Sequence, residues 1–167
     1  MINKISIHFL TMFGIGYSKF APGTIASLIT TLCFYLLFKI GYLEIRGLHL
    51  IYIIIVIFFL GILVIDKFSS FFKEADAQEI VIDEFVGQNV PLLTLLFIPF
   101  NSDTLDEDFT ILIILSFILF RFFDIIKPYP INLIDIKMKD GLGVMLDDLV
   151  AGIFSAIVIY VIAYLCF

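Results

Sequence analysis

Two pairs of adjacent carboxylates stand inside apolar sequence in this chain. Asp147 and Asp148 lie in Gly-Leu-Gly-Val-Met-Leu-Asp-Asp-Leu-Val-Ala-Gly, residues 141–152, at the threshold of the last apolar run, and Asp83 and Glu84 lie in Ile-Val-Ile-Asp-Glu-Phe-Val-Gly, residues 80–87. A charged side chain costs roughly 2.5–3.5 kcal/mol at the centre of a membrane helix and much less near an interface, so such placement needs a reason. One reason is structural, since Asp caps helix N-termini and favours the positive end of the helix dipole. A cap accounts for one aspartate better than for two. Successive residues diverge by about 100° on a helix, and adjacent like charges repel unless a cation lies between them. A cap and a metal-ligand role both stay open for Asp147 and Asp148. For Asp83 and Glu84 the competing reading is a pair of solvated acids at an interfacial boundary. Gly87, about one turn beyond, favours a site, because a missing side chain lets a ligand or another backbone approach.

Two further stretches carry chemistry. Phe-Arg-Phe-Phe-Asp-Ile-Ile-Lys-Pro-Tyr-Pro, residues 120–130, puts Arg121 and Asp124 three apart on one helix face and Lys127 just before the proline that should end that helix. The pair reads as a plain salt bridge, or as a guanidinium placed to grip phosphate oxygens bidentately. Gly-Ile-Gly-Tyr-Ser-Lys-Phe-Ala-Pro-Gly-Thr-Ile-Ala-Ser, residues 14–27, is a glycine-bearing loop leading into an apolar run. Backbone N–H groups at such a helix start attract anions, and a Pro-Gly turn with Thr24 as a cap explains the same residues. Together, Asp83, Glu84, Asp124, Asp147 and Asp148 would repel a phosphate unless divalent cations sat among them. Oxygen-only ligands select a hard ion, and Mg²⁺ on a few carboxylates plus substrate phosphate is the usual arrangement. Zinc is disfavoured, because the only histidines are His8 and His49.

The elements that must position these residues are membrane helices. Of 167 residues, 62% are hydrophobic and 16% charged, and the mean hydropathy is +1.14, against roughly 45–50% apolar residues in soluble domains. The expected fold is all-α: one polytopic integral-membrane domain over residues 1–167, with four or five apolar segments plus an interfacial amphipathic helix. The segments are Thr24–Ile40, Leu48–Ile65, Phe85–Phe100, Phe109–Phe123 and Leu149–Phe167. The third and fourth are short for full crossings, and Pro91 and Pro99 predict a kinked, tilted or re-entrant third. Gly41–Gly47 reads as a link, Asp66–Glu79 as the amphipathic helix, and Asn101–Asp108 as an acidic loop. Lys4 and Lys19, then Lys67 and Lys73, then Arg121, Lys127, Lys137 and Lys139 mark three segments that alternate with the spans and belong inside, although Arg46 in the Gly41–Gly47 link runs against the pattern. All four motifs therefore converge on the cytoplasmic face. The N-terminus lacks a signal-peptide cleavage pattern. Cys33 and Cys166 read as buried, inert thiols, and a net charge of −6 argues against nucleic acid.

With residues 14–28, 80–87, 120–130 and 141–152 in order and register, the sequence closely resembles the bacterial phosphatidylglycerophosphatase A family over nearly its whole length. The resemblance implies a Mg²⁺-dependent phosphatase of the bacterial inner membrane, its active site on the cytoplasmic face, acting on a phospholipid substrate without an evident obligate protein partner. Such an enzyme converts phosphatidylglycerophosphate to phosphatidylglycerol and inorganic phosphate. It places the family's acidic residues on Asp83, Glu84, Asp124, Asp147 and Asp148, as metal ligands and catalytic groups, and its basic ones on Arg121 and Lys127. Ser18, Pro22, Gly23 and Thr24, with Arg121 and Lys127, make up the expected substrate-binding set. Two departures stand out: Ala26 replaces a usual glycine, and Lys139-Asp140-Gly141 replaces a common His-Gly-Gly. Attack by water and attack by an aspartate are both compatible with this set. A cation transporter or channel is the rival reading; it requires acids facing one another at mid-membrane depth. The Asp-x-x-Asp-Gly-x-x-Ala-Arg run of a CDP-alcohol phosphatidyltransferase, the His-Arg-Ser pattern of the other lipid phosphatases and a Cys-x5-Arg loop are all missing.

Overall fold

A computed structural model describes residues 2–68, 71–72, 77–98 and 105–166. Its described helices are α1 (Ile2–Leu10), α2 (Pro22–Lys39), α3 (Tyr42–Phe68), α4 (Ile82–Thr94), α5 (Leu105–Ile126), α6 (Ile131–Lys137) and α7 (Gly141–Cys166), and the described residues include no strand. Among the described residues, four helical stretches are long and apolar enough to cross a membrane: Pro22–Lys39, Gly47–Phe68, Glu107–Ile126 and Gly141–Cys166. Their outward faces carry large apolar side chains such as Leu36, Leu48, Tyr52, Phe59, Leu63, Ile118 and Leu165, each exposed from the protein. That is the surface a lipid solvent requires, since a helix apolar all round needs apolar surroundings.

The third apolar segment is not among these stretches. It forms α4, whose 13 residues span about 20 Å against a hydrocarbon core of about 30 Å. This helix lies inside the bundle, packed most extensively on α7 and also on α2, α3 and α5. Pro91 sits within it. The central fit is a backbone contact between α4 and α7. A Cβ on Gly87 would stand 2.6 Å from the Asp148 carbonyl oxygen, and one on Gly152 would collide with the Gly87 carbonyl. Small residues on facing helices permit this approach in membranes.

Several boundaries differ from those expected. The last helix begins at Gly141 rather than Leu149, because Asp140 Oδ1 accepts from the Gly143 N–H at 2.9 Å and Asp66 Oδ1, from α3, accepts from the Gly141 N–H at 2.6 Å. Asp147 and Asp148 are thus well inside α7, and neither is its N-cap. Thr24 is likewise no cap: Pro22 opens α2, with Ala21 before it in a left-handed conformation, consistent with proline's fitness for a first helical position. The Gly41–Gly47 link shrinks to Ile40–Gly41, with Gly41 at φ 69, and α3 starts at Tyr42. The fourth apolar segment lengthens to Leu105–Ile126, so Asp124 is helical. Of the expected amphipathic helix Asp66–Glu79, the first three residues end α3, Ala77–Ile80 form a turn, and residues 69–70 and 73–76 lie outside the described residues. Residues 101–104 of the acidic loop also lie outside them, while 105–108 open α5. Cys33 and Cys166 are exposed rather than buried, on outward faces of α2 and α7.

Candidate active site

The Gly87–Gly152 contact fixes where the acids meet. Asp83 and Glu84 sit about one turn before Gly87 on α4, and Asp148 one turn before Gly152 on α7, so the touching backbones bring the three side chains together. One oxygen from each of Asp83, Glu84 and Asp148 lies within 4.8 Å of the other two. Asp83 is 8% exposed and Asp148 4%. Asp83 Oδ1, Glu84 Oε2 and Asp148 Oδ2 are buried, and no described group hydrogen-bonds to them. Helix α2 adds a wall, its Gly23 backbone lying against the Glu84 carboxyl group. Burial, then the neighbouring Glu84, push the Asp83 carboxyl well above the ordinary carboxylate range. Burial, then the charge of Asp148, push Glu84 up to about 8. Carboxyl groups raised by burial and by a neighbouring acid are candidates for a functional site.

The other two expected acids are paired with cations. Arg121 Nη1 meets Asp124 Oδ2 at 2.6 Å and donates to Ser27 Oγ at 3.4 Å, while its Nε is buried without a partner among the described residues. Lys127 takes a left-handed conformation (φ 46) beyond the end of α5. Its Nζ reaches Asp147 Oδ2 at 2.7 Å and Asp135 Oδ1 at 3.1 Å. Burial alone would lower the Lys127 pKa, but Asp147 and Asp135 more than reverse this and raise it above the usual ammonium range. Asp147 is joined further to the cluster's edge by the Asp148 N–H, which donates to Asp147 Oδ1 at 3.0 Å.

Of the expected substrate-binding residues, Gly23 and Arg121 stand among the acids. Lys127 stands beside Asp147, and Thr24 is half-buried on α2. Ser18 and Pro22 instead line a cavity of about 770 Å³ with Tyr17, Gln78 and Glu79, and none of the five acids borders it. Three residues went unread in the sequence. Ser27 is one turn beyond Gly23, a spacing that would have brought it to the same face. Gln88 is one turn beyond Glu84, fully buried, with neither amide atom hydrogen-bonded among the described residues. Asp135 offered no signal, because only the turn after α5 returns α6 to Lys127.

The fold and the site define an integral-membrane helical bundle with buried acids and cations gathered at one end. Comparison with known proteins narrows the class. The phosphatidylglycerophosphatase A family profile matches residues 8–163, and the chain belongs to that family of phosphatases. It is 35% identical to phosphatidylglycerophosphatase A of Haemophilus influenzae, over 98% of this chain and 94% of the relative. It is 34% identical to a Bacteroides thetaiotaomicron protein named "Putative phosphatidylinositol-3-phosphatase", over 90% of this chain and 89% of that one. Identity to phosphatidylglycerophosphatase A of Escherichia coli is 31%, over 91% and 80%. No solved structure matches the chain.

Proposed function

We propose that this protein hydrolyses the terminal phosphomonoester of phosphatidylglycerophosphate, releasing phosphatidylglycerol and inorganic phosphate, and that it does so with Mg²⁺ held by Asp83, Glu84 and Asp148. The observation that carries the proposal is the trio Asp83, Glu84 and Asp148, each with a buried carboxylate oxygen that has no hydrogen-bond partner among the described residues, close to a guanidinium whose Nε–H has none among them either. The donor set fits the ion: oxygen ligands suit a hard cation, and orphaned buried acceptors need one. Asp83, Glu84 and Asp148 would hold a divalent cation, which would supply the positive charge that lets a phosphate approach acidic side chains and would polarise its P–O bonds.

The chain's own residues do the rest. Arg121, held by Asp124 and Ser27, offers Nε to a phosphoryl oxygen and stabilises charge as it develops there. Lys127 fixes Asp147, which in turn accepts from the Asp148 backbone and sets the orientation of that turn of α7. Gly23 leaves space for the Glu84 carboxyl to lie flat against α2. The membrane is the bacterial inner membrane and the site opens to the cytoplasm, as the Lys and Arg residues gathered at this end of the bundle support.

The test is phosphate release from phosphatidylglycerophosphate in detergent micelles, with Mg²⁺ or EDTA, for the wild type, Asp83→Asn and Asp148→Asn. Mg²⁺-dependent turnover lost in both folded variants supports the reading; turnover indifferent to EDTA contradicts the metal. The name of the Bacteroides relative favours a second substrate, phosphatidylinositol 3-phosphate. Running both lipids side by side decides between the headgroups by their kcat/KM ratio.

A further inference from the structure

An apolar groove of about 300 Å³ runs between α2 and α5, lined by Leu28, Thr31, Leu32 and Tyr35 on one side and Thr110, Ile113, Ile114 and Phe117 on the other. Its position relative to the site is fixed by covalent neighbours. Leu28 follows Ser27, the residue that accepts from Arg121, and Phe117 precedes Arg121 by one helical turn. The groove thus begins directly under the guanidinium and descends into the bilayer. From Leu28 to Tyr35, and from Phe117 to Thr110, it extends about 10 Å, against about 15 Å for one leaflet's hydrocarbon. The Thr31 hydroxyl donates to its own helix at the Ser27 carbonyl, 2.8 Å away, and so does not make the wall polar. At the deep end, Phe38 and Phe109 stack with centroids 4.1 Å apart and close the seam.

We propose that this groove is the acyl-chain subsite of the enzyme, holding one fatty-acyl chain of the lipid substrate while its phosphate lies by Arg121. The inference rests on the phosphatase reading above. Any lipid can wet an outward-facing helix, but here an apolar trough continues from the phosphate-gripping end of the bundle. A chain seated in it fixes the lipid's depth and directs the headgroup upward to the acids. The enzyme should therefore measure the acyl chain as well as the phosphate, and hydrolyse long-chain substrate at lower KM than a short-chain one.

Filling the groove tests this without touching the site. Leu32→Trp and Ile114→Trp change exposed apolar residues of its walls, and Leu60→Trp, an exposed apolar residue of α3, controls for bulk in lipid. KM is measured for dioleoyl and dihexanoyl forms of phosphatidylglycerophosphate. The expected result is a rise of about tenfold in KM for the dioleoyl lipid in both groove variants, as for the loss of one or two buried methylenes. The dihexanoyl KM should rise less, because a six-carbon chain fills only the upper part of the groove, and the Leu60→Trp enzyme should be unchanged. Equal effects on both lipids, no effect, or the same effect in Leu60→Trp overturns the subsite.

Photocrosslinking with a phosphatidic acid carrying a mid-chain diazirine provides a readout independent of turnover. Label concentrated on residues 28–35 and 110–117 and lost in Leu32→Trp supports the groove. Label spread evenly over α3 overturns it. Failure of every form to release phosphate from either lipid would instead sink the phosphatase reading, while the crosslink would still decide the groove.

Discussion

Asp83 and Glu84 both enter one cluster, whereas Asp147 and Asp148, equally adjacent in sequence, are divided: Asp148 joins that cluster and Asp147 is held by Lys127 at 2.7 Å. Neighbours on a helix diverge by about 100°, so two aspartates on α7 have to point at different partners. On α4 the second acid is a glutamate in the first turn, and its extra methylene lets the carboxyl swing back beside its neighbour. The lesson is that an acid pair is not a unit. Which member faces the shared site is set by the Gly87–Gly152 contact, and the other member is available for support.

Replacing members of the two pairs should break them unequally. Asp148→Asn and Asp83→Asn each remove a member of the buried trio, and each should lower kcat/KM by about 10³-fold, the scale of losing a preorganised charge-stabilising group. Asp147→Asn removes only support, and the expected loss is about 10- to 100-fold, as for partners behind a ligand. Steady-state kinetics on the three folded variants checks the ranking. Equal losses for Asp147→Asn and Asp148→Asn would erase the distinction between them.

A fourth substitution separates geometry from charge. Gly152→Ala changes no acid but drives a methyl into the Gly87 carbonyl, and α4 must shift from α7. The expected stability loss is about 1–3 kcal/mol, read as a lower midpoint of thermal unfolding in detergent, with weaker Mg²⁺ binding alongside. Unaltered binding in a destabilised protein would mean that the helix contact does not place the trio.

The chemistry was more legible in the sequence than its placement. The five acids, Arg121 and Lys127 stand out because charge in apolar sequence is conspicuous, and the long apolar runs point to the helical fold that the structure has. The start of α7 was not legible. The apolar run alone begins at Leu149, and what carries the helix back to Gly141 includes Asp66, which comes from another helix 75 residues earlier. The cysteines were misjudged because apolar neighbours signify a core in water but a lipid face in a membrane. Arg121 and Asp124 did form the salt bridge that their spacing allowed, and the second use of the guanidinium, on Ser27, depended on how α2 packs against α5.

The smallest expected effect concerns the outermost link of the support. Burial would raise the Asp135 pKa, but Lys127 and Lys139 hold it below the ordinary value of 3.8. A depressed pKa stabilises the fold above the unfolded value, and the contribution fades as pH falls through the folded one. Asp135→Asn should cost under about 1 kcal/mol at pH 7, because the carboxylate is only partly shielded from water. The difference in unfolding midpoint between variant and wild type should shrink as pH falls below about 4. A difference that persists there would show that Asp135 acts through packing rather than charge.

The central proposal is that Asp83, Glu84 and Asp148 form a metal site and that Asp147 stands outside it. Isothermal titration of the purified, EDTA-stripped protein with Mg²⁺, in the absence of lipid, addresses it most directly. The account predicts binding in the wild type, its loss in Asp148→Asn, and its survival within about tenfold in Asp147→Asn. Binding that survives in Asp148→Asn, or disappears equally in both variants, would contradict it.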